Sequence, residues 1–165
     1  VFQSLVNPGR PIPSMISMVT GITNAMVAHA PPFEAIADEL LGILAGRIFV
    51  AHNARFDWGF LDASFRRTRG LALTGPRLCT VRLARRLLRD VGSCGLDNLT
   101  AHFGCDNPAR HRAAGDAEVT AQLLERLLSY ARGEGARTLT DLEQIQLRRR
   151  RRRSVNGEKS TVNGY

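Results

Sequence analysis

No apolar run in this sequence approaches the roughly 18 residues that a membrane span needs, and no charged-then-apolar leader opens it. Neither a membrane protein nor a secreted one is expected. Cysteine is scarce: Cys79, Cys94 and Cys105 are odd in number and show no C-x-x-C spacing. That argues against a disulfide framework and a zinc site, and fits reduced thiols in a cytoplasmic protein. A G-x-S-x-G elbow is missing, which argues against a hydrolase built on that nucleophile. Internal repeats are missing too.

What is present is an ordinary globular composition, 44% hydrophobic and 23% charged, over 165 residues. That length suffices for one domain with a real core. The net charge is +8, but Arg148 to Arg153 is a run of six arginines, which leaves only +2 for the rest. The run reads either as a solvated end or as a contact for nucleic acid. The first residue is Val1 rather than Met, and Phe2–Val6 reads as the interior of a fold. The chain is therefore expected to begin inside a longer protein.

Phe2–Val6 is a strand candidate stopped by Asn7-Pro8-Gly9. Residues 14–30 read as a mixed loop holding Thr20-Gly21-Ile22-Thr23. Pro31 and Pro32 open a helix with apolar residues at helical spacing, stopped at Gly46. Arg47–Ala51 reads as a strand buried on both faces. A helix over 54–69 is expected to turn Phe56, Phe60, Leu61 and Phe65 to one side, with Gly70 ending it. Leu78-Cys79 is a short strand, and Thr80 caps a helix through Arg89 that turns Val81, Ala84, Leu87 and Leu88 inward. Helices over 96–103 and 113–131 follow. Thr140 and Glu143 have capping-box spacing for a last helix that runs into the arginines. The pattern predicts an α/β domain over residues 1–132, with a linker and Arg-rich tail over 133–165.

Two segments carry candidate chemistry. His52-Asn53-Ala54-Arg55-Phe56-Asp57 lies where a strand turns into a helix, the place where ligands bind in such sheets. From spacing alone, Asp57 also reads as a solvent-facing carboxylate favoured by the helix N-terminus. Asp116 shares a stripe with Thr120, Leu123 and Leu127, at offsets of four, seven and eleven, which places a carboxylate on an inward face. An unpaired buried carboxylate is costly, and a divalent cation would relieve Asp57 and Asp116 together. Asp116 equally reads as a helix-end carboxylate at the core's edge. His111, five residues upstream of Asp116, reads as plain surface or as a group swung over such a metal.

In order, these segments resemble the DnaQ-like DEDDh 3′→5′ exonucleases, the family of the proofreading epsilon subunit of bacterial DNA polymerase III. Further matches are Val6-Asn7-Pro8-Gly9, Thr20-Gly21-Ile22-Thr23, Cys79-Thr80 with Leu83-Ala84-Arg85, and Leu96-Asp97-Asn98-Leu99. The resemblance covers about residues 1–131. It implies a ribonuclease-H-like fold, a mixed sheet flanked by helices, here lacking its first two strands. It implies four carboxylates and one histidine around two divalent cations, Mg²⁺ or Mn²⁺. Asp57 matches the third carboxylate, Asp116 the fourth and His111 the general base; the D-x-E that supplies the first two does not occur in this sequence. By the same resemblance Thr20, Gly21, Ile22, His52, Asn53 and Phe56 meet the terminal nucleotides.

The implied activity is hydrolysis of a single-stranded or frayed DNA 3′ end to nucleoside monophosphates, in proofreading or repair, with a DNA polymerase subunit as a partner. Two alternatives remain: an exoribonuclease that reads the 2′-hydroxyl, and a non-catalytic nucleic-acid- or polymerase-binding remnant of the fold. Deleting residues 148–153 is expected to flatten the salt dependence of single-strand affinity. Each neutralised phosphate contributes about −0.7 to the slope, so six contacts set an upper limit of about −4. An unchanged slope in a salt titration returns the run to a solvated end.

Overall fold

The computed structural model describes residues 2–105 and 113–148; His111 and Arg149–Arg153 lie outside the described residues. The elements run α1 (Ser14–Thr20), α2 (Asn24–Val27), α3 (Phe33–Leu44), β1 (Phe49–Ala51), α4 (Ala54–Arg69), β2 (Arg77–Cys79), α5 (Thr80–Leu87), α6 (Leu96–Phe103), α7 (Ala113–Gly133) and α8 (Leu139–Leu147). Among the described residues no helix is long and apolar enough to cross a membrane.

The sheet among these residues is one parallel pair, with Phe49 beside Arg77, Val50 beside Leu78 and Ala51 beside Cys79. It is smaller than the mixed sheet expected from the sequence. Phe2–Val6 is not a strand: only Asn7 bridges to Pro32, its N–H donating to the Pro31 carbonyl at 3.0 Å. A strand needs a ladder of partners, and none runs beside residues 2–6 among those described. The expectation that β1 is buried on both faces also fails. All three of its residues are half-buried, because a pair of strands presents too little surface for helices to cover both sides. Residues 14–30 are likewise not a plain loop. α1 ends in the left-handed Gly21 (φ 69°), whose N–H donates to Ser17 O at 2.8 Å, and Thr23 caps α2. α1 buries no residue, so no apolar periodicity announced it.

The main core lies between α5, α6, α7 and α8, where Leu83, Leu99, Leu123, Leu127 and Ile145 are sealed from solvent. In α7 the residues Val119, Thr120, Leu123, Leu127 and Ala131 form the buried stripe, at the spacing of one helix face. α5 buries Thr80, Val81, Leu83, Ala84 and Leu87. Thr80 is therefore not the cap expected of it; Cys79 holds that position and makes no side-chain bond, while Thr80 begins the helix fully buried.

α4 departs from the expected apolar face. Its buried residues are Ala54, Trp58 and Phe65, while Phe56 and Phe60 are 61% and 63% exposed and pack on each other with centroids 4.9 Å apart. At about 100° per residue, positions two residues beyond 54 and 58 point to the opposite side of the helix. Trp58 instead anchors α4, meeting the Phe49 ring edge-on at 5.3 Å, with the Arg77 guanidinium 4.7 Å above it.

The last helix starts two residues earlier than the sequence spacing indicates. Thr138, not Thr140, is the cap: its Oγ1 accepts from Asp141 N at 3.2 Å, and Asp141 Oδ2 accepts from Thr138 N at 2.8 Å. Residue 132 falls within α7, and α8 beyond it adds Ile145 to the same core. Gln146 performs a second task. Its Oε1 accepts from Cys79 N at 3.1 Å and its Nε2 donates to Arg77 O at 2.8 Å. Residues 77 and 79 present these groups on the edge of β2 that faces away from β1, so one side-chain amide stands where a third strand would pair. Gln146→Ala is expected to leave both backbone groups unsatisfied and to cost about 1–3 kcal/mol in a urea titration, the usual penalty for a buried polar group stripped of its partner. Gln146→Glu, which loses the donor and buries a charge, is expected to cost at least as much.

Candidate active site

The two strands end side by side, so the residues that follow them meet. His52 follows Ala51, Thr80 follows Cys79, and His52 Nδ1 lies 2.9 Å from Thr80 Oγ1 in a hydrogen bond whose direction the ring tautomer sets. His52 Nε2 is buried without a partner of normal hydrogen-bond geometry among the described residues. Burial pushes the His52 pKa below its usual value; the backbone at Cys94 and the charge of Asp116 oppose that, and Arg85 adds to it. His52 therefore favours the neutral form.

Asn53 is the only non-glycine residue at positive φ among those described (φ 71°). Asparagine tolerates this left-handed conformation better than most residues. It turns the chain out of β1 and into α4, and strained positions of this kind gather at functional sites. Asp57 sits in the first turn of α4. It retains an exposed surface, yet partial desolvation of its carboxylate is the main influence and raises its pKa. Between them, Asn53, Arg55, Phe56, Gly59 and Phe60 line a shallow apolar hollow of about 480 Å³ on the exposed side of α4.

Asp116 is half-buried near the start of α7, and its charge reaches His52 across 64 positions of sequence. β1 touches both α4 and α7, the helices that carry Asp57 and Asp116. Thr20, Gly21 and Ile22 form the tight α1–α2 turn: Thr20 Oγ1 donates to Ile16 O at 2.8 Å and accepts from Ile22 N at 3.2 Å. No hydrogen bond or ion pair among the described residues joins that turn to the His52–Asp57 segment. His111 lies outside the described residues.

The carboxylates of Asp57 and Asp116 are donors of the type that hard divalent cations select. A nearby cation would also oppose the desolvation that Asp57 suffers. No group of three His, Cys, Asp or Glu close enough to hold a metal occurs among the described residues. In donor chemistry alone, each aspartate suits a carboxylate ligand of such a cation.

Sequence reasoning missed two features. Thr80 pairs with His52 rather than capping its helix. A polar cavity of about 540 Å³ is lined by Arg82, Arg85 and Arg86 together with the turn at residues 91–94. The spacing of the three arginines, which sets them on one face of α5, is the signal that was overlooked; the cavity depends on the turn at 91–94.

These observations define an α/β protein whose candidate site lies at the carboxyl ends of a parallel strand pair. The chain belongs to the exonuclease family, whose profile matches residues 1–124. It is 41% identical over 143 residues to a DNA polymerase III subunit epsilon-like protein of Rhodobacter capsulatus, covering 84% of this chain and 20% of that protein. It is 35% identical over 127 residues to the DNA polymerase III subunit epsilon of Aquifex aeolicus, covering 77% of this chain and 63% of that one. The chain thus spans less than two thirds of the curated relatives it matches. Among solved structures, exonuclease X in complex with 5′ overhanging duplex DNA superposes with a TM-score of 0.64 at 31% identity, covering 86% of this chain and 78% of that one.

The raised pKa of Asp57 has a consequence for stability. A carboxyl group whose folded-state pKa is raised contributes stability below its unfolded pKa and loses it as pH rises through the folded pKa. At pH 7, without a divalent cation, Asp57→Asn is therefore expected to melt above the wild type. The difference should close by about pH 3, below the ordinary aspartate pKa. Melting curves across that range check this, and a lower Tm for the variant at pH 7 would contradict it.

Proposed function

We propose that this chain carries a metal-dependent 3′→5′ exonuclease site of the DEDDh type that hydrolyses DNA ends to nucleoside monophosphates. The observation that carries this reading is the meeting of His52, at the end of β1, with Thr80 and with the charge of Asp116, while Asp57 is partly desolvated in the first turn of the helix that follows His52. Phosphodiester hydrolysis with hard cations requires carboxylates, and ligands bind at strand ends in such sheets.

In this reading a water oxygen attacks the terminal phosphorus, the bond to the 3′ oxygen of the penultimate nucleotide breaks, and a nucleoside 5′-monophosphate leaves. When bound, two Mg²⁺ or Mn²⁺ ions supply charge stabilisation to the attacking and departing oxygens. Asp57 and Asp116 would hold them, together with the carboxylates of a D-x-E on an opening strand, which this sequence does not itself contain. His111 takes the proton from the attacking water. His52, kept neutral by burial, offers the terminal nucleotide a hydrogen-bonding ring rather than a competing charge. Asn53 and Phe56 face the same nucleotide, and the exposed Phe56 ring gives a base a surface on which to stack. Thr20, Gly21 and Ile22 separate the end bases.

A role in proofreading or repair beside a polymerase subunit is supported by the names of the two epsilon-type relatives. Three free thiols, at Cys79, Cys94 and Cys105, favour a reducing compartment such as the cytoplasm.

In the full-length protein, Asp57→Asn and Asp116→Asn are each expected to abolish Mg²⁺-dependent digestion of a 5′-labelled single-stranded DNA, with the fold retained by circular dichroism. His111→Ala is expected to slow it roughly 10²- to 10⁴-fold with little change in DNA binding. Undiminished hydrolysis in either aspartate variant would sink the assignment. Binding without hydrolysis by the wild type would instead favour the non-catalytic reading, and preference for an RNA strand the exoribonuclease.

A further inference from the structure

We propose that Arg82, Arg85 and Arg86 form a phosphate-binding track that holds the nucleic-acid backbone outside the carboxylate site. The inference rests on the nucleic-acid substrate proposed above and adds a second point of attachment to it.

The three arginines line one concave polar cavity of about 540 Å³, walled on its other side by the turn at residues 91–94. Binding sites for small groups fall in the range of roughly 300–1,000 Å³. The arginines are presented by a rigid element. Thr80, Val81, Leu83, Ala84 and Leu87 lock the opposite face of α5 into the core, so positions 82, 85 and 86 project from one outer face. The locked helix fixes the points from which the three side chains extend.

Their charges are not neutralised by ion pairs among the described residues, where Asp62 pairs with Arg66, Asp38 with Arg69 and Glu134 with Arg148. Arg86 donates through Nε to the Arg148 carbonyl. A solvated helix face explains arginines that spread into water. These three also border one hollow, where their like charges repel. A guanidinium presents a planar fork of donors matched to phosphate oxygens, and a polyanion relieves the repulsion.

The location ties the track to the site. Thr80, the first residue of the same helix, bonds to His52. Cys94, at the cavity wall, has its backbone near the His52 ring, and the charge of Arg85 is felt there too. At the other end, Arg148 caps α8 beside Arg86, and the sequence continues with five more arginines. A strand whose terminal nucleotide meets His52 and Phe56 would thus find cationic groups for the phosphates that follow.

The test uses the full-length protein, a fluorescent oligothymidylate, and the triple variant Arg82→Gln, Arg85→Gln, Arg86→Gln, with the corresponding triple lysine variant as a charge control. Melting curves establish that each is folded. The glutamine variant is expected to reduce the salt slope of oligonucleotide affinity by about 2, at about 0.7 for each lost phosphate contact. Affinity at 0.1 M salt should fall roughly 10- to 100-fold. Binding of thymidine monophosphate, too short to reach the track, should hold within about twofold, and the lysine variant should recover most of the slope. An unchanged slope in a folded glutamine variant that still digests DNA overturns the track and leaves the exonuclease reading standing. Equal losses for monophosphate and oligonucleotide overturn it in favour of a terminal-phosphate site. A wild type that neither binds nor digests nucleic acid overturns both.

Discussion

The candidate site depends first on the parallel register of β1 and β2. Because Ala51 lies beside Cys79, the next residues of the two strands, His52 and Thr80, come within hydrogen-bonding distance. A slip of one residue would separate that pair and turn the strand side chains to the opposite faces. His52 sits where the chain turns into α4, and Thr80 opens α5. One register therefore fixes the starting points of both helices that flank the site.

So short a pair needs support, because three paired residues on each strand leave backbone groups open along both edges. Gln146 supplies it from far along the chain, closing the outer edge of β2 with its amide. Its neighbour Ile145 is held in the core with Leu83, Leu123 and Leu127. Residues beyond α7 thus help to hold the strand that precedes Thr80. The family profile stops at residue 124, short of this contribution.

Burial then sets the electrostatics of the site in opposite directions. The same loss of water lowers the pKa of His52 and raises that of Asp57, since each charged form is disfavoured. A bound cation would oppose the desolvation of the Asp57 carboxylate, as a proton does.

Much of the helix pattern was legible. α3, α4, α6 and α7 begin where the sequence pattern indicates, and Gly70 and Gly104 end two of them in left-handed turns. Those signals are local, and local backbone preferences carry them. The side of α4 that faces inward was not legible, because Phe56, Phe60 and Trp58 are all large and apolar enough to be buried. Only the position of β1 and Phe49 selects Trp58. Likewise the sequence spacing pointed to Thr140 and Glu143, whereas the helix is capped by Thr138 with Asp141, an aspartate where the glutamate or glutamine of the usual box was looked for.

The sequence by itself determined which chemical groups this protein possesses: the HNARFD segment, the inward stripe that carries Asp116, and the arginine-rich α5. Each is set by neighbours within a few residues, so composition and spacing reveal it. Only the tertiary structure decided which of these groups meet. The His52–Thr80 bond spans 28 positions and the Gln146–Cys79 bond 67. The arginine hollow exists only because the turn at 91–94 folds against α5. Such long-range contacts follow from how helices pack on a strand pair, a cooperative outcome that no local spacing encodes.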